Sequence, residues 1–147
     1  MKKIILTLIL FFIFIFELSA NENFLSLKKN KVNVRYGPGF DYPIKYIYKK
    51  KNLPLKLIDK KENFRRIIDL KNNSGWIHSS QLKKINAIIL LENKILFEKP
   101  TIFSKPILKL EKGRLLVIKK CKKKWCNAKT DIYSGWLKSE NVWGTIN

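Results

Sequence analysis

Histidine occurs once in these 147 residues, methionine once and cysteine twice, and 11 acidic residues face 31 basic ones. Each scarcity removes a class of function. A zinc site draws on about four ligands, and the chain has a single histidine, His78, to offer. A Cys–His hydrolase would have to bring His78 to Cys121 or Cys126, more than forty residues away and in a different part of the chain. The few carboxylates form no paired acid/base motif. The Gly37-Pro38-Gly39 stretch matches neither phosphate-binding nor dinucleotide-binding patterns. The sequence therefore implies no catalytic residue, no metal and no cofactor.

Long apolar runs are absent after residue 16. Before it, MKKIILTLILFFIFIFELSA places two lysines ahead of a thirteen-residue, almost wholly apolar stretch, Ile4 to Phe16, and ends on Ser19-Ala20. That is the pattern of a secretory signal peptide. As a helix the stretch would measure about 20 Å, short of the roughly 30 Å hydrocarbon core. We expect an exported chain cleaved after Ala20; the alternative is a membrane anchor formed by residues 4–16. Cleavage would remove Lys2, Lys3 and Glu17 and leave a net charge of +19. One reading of this charge is attraction to anionic partners such as lipid headgroups, acidic envelope polymers or nucleic acid. The other is compositional: only four of the basic residues are arginine, and lysine, isoleucine and asparagine are abundant throughout. Two cysteines in an exported chain suit a disulfide.

Alternation of period two in KVNVRY, LPLKL and WIH, each bounded by Gly, Pro or Asn, predicts small all-β units. Residues 87–97, AIILLENKILF, read as two strands around Glu92-Asn93-Lys94, although their spacing would also suit a helix. A second unit begins there. Gly75-Trp76 recurs sixty residues on as Gly135-Trp136, Phe64 is echoed by Trp125 at sixty-one, Pro38 by Pro100 at sixty-two and Pro43 by Pro106 at sixty-three. Two copies of about 55 residues would each lie near the lower limit of independent stability. The join at Leu82-Lys83-Lys84-Ile85 has no flexible tract. The copies are therefore expected to pack together.

The order V-N-V-R-x-G-P-G-x-x-Y-P-I, followed by Lys51-Asn52, the apolar run Leu53 to Ile58, Phe64 to Ile68 and Gly75-Trp76-Ile77, resembles a bacterial SH3 domain. The second copy keeps Pro106, Lys112-Gly113, Leu115 to Ile118, Trp125 and Gly135-Trp136-Leu137, but FEKPTIF replaces the Arg-x-Gly-Pro loop. The resemblance implies an all-β chain of two tandem SH3-like barrels, each of five or six strands, behind a signal peptide helix. The expected divisions are residues 1–20, 26–84 and 85–147. It also implies a binding or targeting module of the cell envelope rather than an enzyme, with a periplasmic location. Peptidoglycan stems, short peptides or an envelope protein would be the partners. An electrostatic contact with an anionic membrane surface is compatible with the charge, nucleic acid fits less well, and oligomeric state is open. Rival readings are a lysine-rich binder of nucleic acid, lipopolysaccharide or anionic lipid, and an accessory subunit of another exported protein.

The loop Arg35 to Pro43 is the candidate site. Gly37 and Gly39 are expected to supply positive φ around the fixed Pro38, giving a stiff turn. It would present Tyr36, Phe40, Asp41 and Tyr42, with Trp76 nearby; alternatively Tyr42 and Trp76 plug the ends of a very small barrel. Arg35 would clamp a ligand carboxylate, or else pair with Asp41 or Asp69 within the fold. His78 would hydrogen-bond a ligand beside Trp76, or lie on the surface without a role. Cys121 and Cys126 are expected to face one another across a hairpin as a disulfide, the alternative being a thiol nucleophile or a metal site.

Overall fold

A computed structural model describes residues 23–144. The expected signal peptide lies outside the described residues. No helix among them is long and apolar enough to cross a membrane.

Fourteen strands form two seven-stranded antiparallel sheets. The first contains β1 (Phe24–Leu27), β2 (Val32–Arg35), β3 (Ile44–Tyr48), β4 (Pro54–Lys61), β5 (Phe64–Ile68), β6 (Ser74–His78) and β7 (Leu82–Lys84). The second contains β8 (Ala87–Leu90), β9 (Lys94–Phe97), β10 (Pro106–Leu110), β11 (Leu115–Lys122), β12 (Trp125–Thr130), β13 (Tyr133–Lys138) and β14 (Val142–Trp143). The strand orders are β3-β2-β6-β5-β4-β1-β7 and β10-β9-β13-β12-β11-β8-β14, the same topology twice. The expected five or six strands fall short because Phe24–Leu27, ahead of the recognisable motif, adds a strand between β4 and β7. Residues 87–97 are strands, as expected. The stretch is broken at Leu91–Asn93, just past a Leu91 N–H that donates to the Asn141 oxygen in register with the β8–β14 pair.

Alternation builds each core. Val32 and Val34 turn inward with Leu55, Ile67 and Ile77, while Leu90, Leu96, Leu116, Ala128 and Leu137 do the same in the second barrel. The repeated Gly-Trp follows from one close crossing. A Cβ on Gly75 would strike Val34 and stand 3.0 Å from the Arg35 carbonyl oxygen. On Gly135 it would stand 2.7 Å from the Phe97 oxygen. Only glycine lets β6 and β13 pass this near β2 and β9, and the next residue, Trp76 or Trp136, then faces outward.

Register irregularities also repeat. Val34 and Arg35 pair with Tyr46 and Ile44, skipping Lys45, and Leu96 and Phe97 pair with Leu108 and Pro106, skipping Ile107. Pro106 is thus the counterpart of Ile44, and the echo of Pro43 by Pro106 is corrected by one place. The loop closures agree: Tyr36 N–H donates to the Pro43 oxygen and Glu98 N–H to that of Lys105. The loop end is set by the ladder, not by the proline ring.

The two barrels pack together. The Trp143 ring meets Phe24 edge-on at 5.0 Å, and its Nε1 donates to the Pro54 oxygen at 3.0 Å. Asn86, between the sheets, donates its backbone N–H to Ser26 Oγ at 3.3 Å.

Candidate functional site

The loop from Tyr36 to Pro43 is folded along the outer face of the first sheet and held by Arg35. Arg35 Nη1 donates to the Phe40 oxygen at 3.2 Å and to the Tyr42 oxygen at 2.7 Å. Its guanidinium carbon stands 5.6 Å from the centre of the Phe40 ring. The expected pairing with Asp41 or Asp69 is not formed. Asp69 instead accepts from the Tyr48 hydroxyl, the Asn73 amide and the backbone of Lys71 and Asn73. Both bonds leave one guanidinium nitrogen, whose two N–H groups meet two converging carbonyls.

The glycines do a different job from the one expected. Among the described residues the positive-φ glycines are Gly113 and Gly144, not Gly37 or Gly39. A Cβ on Gly37 would collide with the Tyr42 ring, and one on Gly39 would come within 3.3 Å of it. The glycines clear a seat for the tyrosine. Tyr42 therefore underpins the loop, and neither it nor Trp76 plugs a barrel end: Tyr42 is exposed, and Trp76 is half-buried on the outer face.

Folding the loop this way stacks Phe40 on His78 with ring centres 5.2 Å apart, and both meet Phe64 edge-on. His78 is fixed from its other side. Its Nδ1 lies 2.8 Å from Ser80 Oγ and accepts the Ser80 N–H at 3.3 Å, capping the short 3-10 turn Ser79–Gln81. Accepting there leaves Nε2 to carry the proton of the neutral ring.

Two grooves flank the loop. One, of about 400 Å³, is floored by Phe40, Phe64, Ile44 and Ile47 and edged by Lys29, Lys31 and Arg35, with His78 at its end. The other, of about 300 Å³, is polar. Trp76 sits there between Arg35 and Arg66, its cross-strand neighbours on either side. Tyr36 closes it under Lys45, whose ammonium stands 5.6 Å from the ring centre and donates to the Ser74 oxygen. The predicted residues are thus divided: Arg35, Phe40 and His78 belong to the apolar groove, Arg35, Tyr36 and Trp76 to the polar one. Asp41 is exposed at the loop tip, and Tyr42 is support.

Sequence reasoning missed Phe64, Ile44, Ile47, Lys29 and Lys31 as groove residues. Phe64 was visible only as a repeat position. Ile44 and Ile47 are an odd distance apart, so strict alternation puts them on opposite faces; the bulge at Lys45 brings them to the same one.

Cys121 and Cys126 are cross-strand partners on β11 and β12 and form the expected disulfide, with Cα atoms 4.0 Å apart. No described cysteine is free, and among the described residues no group of three or more His, Cys, Asp or Glu is placed to hold a metal ion.

The model of the bacterial SH3 domain matches residues 28–84 and again residues 92–144. The chain belongs to the bacterial SH3 domain family. Its members are typically binding modules, and each seven-stranded sheet here is one such domain. No curated protein matches the sequence. Among solved structures it is similar to NlpC2 from Trichomonas vaginalis, with 12% identity and a TM-score of 0.38 over 83% of this chain and 48% of that one. It is also similar to NlpC1 from the same organism, with 11% identity and a TM-score of 0.38 over 83% of this chain and 45% of that one. The chain thus spans less than half the length of either.

Proposed function

We propose that the protein is an exported, non-enzymatic binding module of the cell envelope. Its first SH3 domain would grip peptide segments carrying free carboxylates, such as peptidoglycan stems. The observation that carries this reading is the apolar groove beside the latched loop. Phe40, Phe64, Ile44 and Ile47 give it a floor for aliphatic side chains, while Lys29, Lys31 and Arg35 put three cations and no acid along its edge. A concave apolar floor with a few convergent charges is the usual form of a ligand site. Because Arg35, Tyr42 and His78 fix the floor before binding, little ordering entropy opposes the ligand. The signal-like amino terminus supports export, and a periplasmic location follows from the same reading.

Sedimentation with purified peptidoglycan tests it. The full chain should pellet at low and moderate salt, and a Phe40→Ala, Ile47→Ala variant should remain in the supernatant. Equal pelleting of both proteins, lost in salt, would sink the groove.

A second reading has its own observation. The β11–β12 hairpin carries Lys119, Lys120, Lys122, Lys123 and Lys124 in one stretch clipped by the disulfide, and the whole chain has a net charge of +20. An anionic polymer or membrane surface would be held there by charge alone, with affinity falling steeply as salt rises.

A further inference from the structure

The second SH3 domain has a groove at the corresponding place, with three key lining residues exchanged. Strand register fixes the correspondence. Arg35 pairs with Trp76 and Ile44 in the first domain, and Phe97 pairs with Trp136 and Pro106 in the second. Phe64 pairs with Lys61 and His78, and Trp125 with Lys122 and Lys138. Phe97 therefore replaces Arg35, Trp125 replaces Phe64 and Lys138 replaces His78, and all three line a depression of about 260 Å³.

Two differences change its chemistry. The first is charge. The first groove is edged by three cations, whereas the second is edged by two ion pairs that cancel: Lys94 Nζ to Glu92 Oε1 at 2.8 Å, and Lys138 Nζ to Glu140 Oε1 at 3.9 Å. The second is cover. Phe64 is 5% exposed beneath Phe40 and His78. Trp125 is half-buried and less covered than Phe64, with Phe97 edge-on at 5.9 Å. A lysine stands where the histidine would cap it, and Ile102, 57% exposed, lines the opening without an arginine latch behind it.

We propose that this groove is a second ligand site, for the uncharged pyranose rings of a polysaccharide. A partly exposed indole offers an electron-rich face to the C–H face of a sugar. The paired carboxylates and ammoniums around it supply acceptors and donors for hydroxyls, which need both, without calling for charge in the ligand. The inference rests on the envelope reading above: the first domain takes the peptide of the wall polymer, the second its glycan strand, and the Trp143 joint fixes the distance between them.

The test titrates the full chain with a neutral tetramer of N-acetylglucosamine, following the indole N–H resonances of its four tryptophans. The Trp125 resonance should move. Trp125→Ala should weaken binding at least tenfold, and so should Ile102→Asp, an exposed change that leaves the fold alone. Phe40→Ala and a rise from low to moderate salt should change the affinity less than twofold. A Trp125 resonance that stays in place at saturating sugar would overturn the proposal, as would binding that survives Ile102→Asp or that weakens with salt. A sugar-free stem peptide titrated in parallel reports on the first groove alone, so failure of the peptide reading is seen separately from failure of this one.

Discussion

The ring of Tyr42 fills the volume in which a Cβ on Gly37 would stand. The glycine is therefore a matter of space, not of backbone angle, and the cost of filling it depends on the tyrosine. Gly37→Ala should destabilise the protein by about 1–3 kcal/mol, the range for an overpacked site. In a Tyr42→Ala background the same substitution should cost almost nothing. A double-mutant cycle by thermal or denaturant unfolding measures that coupling. Additive effects would show that Gly37 answers to something else.

Arg35 reaches two carbonyls from one nitrogen, which fixes the loop and the Phe40 ring with it. Lysine keeps the charge but not the planar group that stands by the Phe40 ring. Arg35→Lys should therefore lower stability by only about 1 kcal/mol, yet raise amide exchange across Phe40–Tyr42 and weaken peptidoglycan pelleting. Unchanged exchange in the loop would mean that the latch does not hold it.

The parts of the fold that were legible are those set by local alternation and by the repeat. Inward valines and leucines, the Gly-Trp crossings and the facing cysteines all depend on residues near in sequence or sixty-odd apart. What was hidden depends on register. The bulge at Lys45 leaves no mark in composition, so Ile44 and Ile47 could not be seen to share a face, and the apolar floor of the groove was missed. The loop was recognised as the place to look, but its glycines carry the same letters whether they serve φ or volume. Arg35 was similarly ambiguous, because backbone carbonyls are partners that no sequence displays.

Trp143, at the end of the second domain, seals against Phe24 and Pro54 of the first. Trp143→Ala removes both the ring contact and the Nε1 hydrogen bond and should cost about 2–4 kcal/mol. It should also uncouple the domains, so that calorimetry resolves two transitions where the native chain gives one. Trp143→Phe, keeping the ring, should lose about 1 kcal/mol and remain a single transition. A single transition in the alanine variant would show that other contacts carry the joint.

Cys121 and Cys126 close a loop of few residues, for which the chain-entropy model gives about 2 kcal/mol. Reduction should lower the midpoint of the single native transition, and hydrogen exchange should rise first along the β11–β12 hairpin. The lysines of the hairpin would then be held on a looser support. Any salt-dependent binding to anionic vesicles should weaken on reduction if the hairpin is the contact.

Alkaline pH should act on the first domain through Tyr46 and Tyr48. Burial pushes both phenols upward. The Tyr46 hydroxyl bonded to Tyr48 and the Asp69 carboxylate that accepts from Tyr48 Oη at 3.0 Å push Tyr48 further. In the unfolded chain the phenols ionise near pH 10, while in the native chain they hold their protons. Above that pH the native state binds more protons than the unfolded one, so stability falls as pH rises. It is fully present below about pH 10 and lost progressively above it. The midpoint of thermal unfolding should be flat as pH approaches 10 and then drop. Tyr48→Phe should flatten the drop, because phenylalanine has no proton to lose in either state. A drop of equal steepness in that variant would place its cause outside the Tyr46–Tyr48–Asp69 chain.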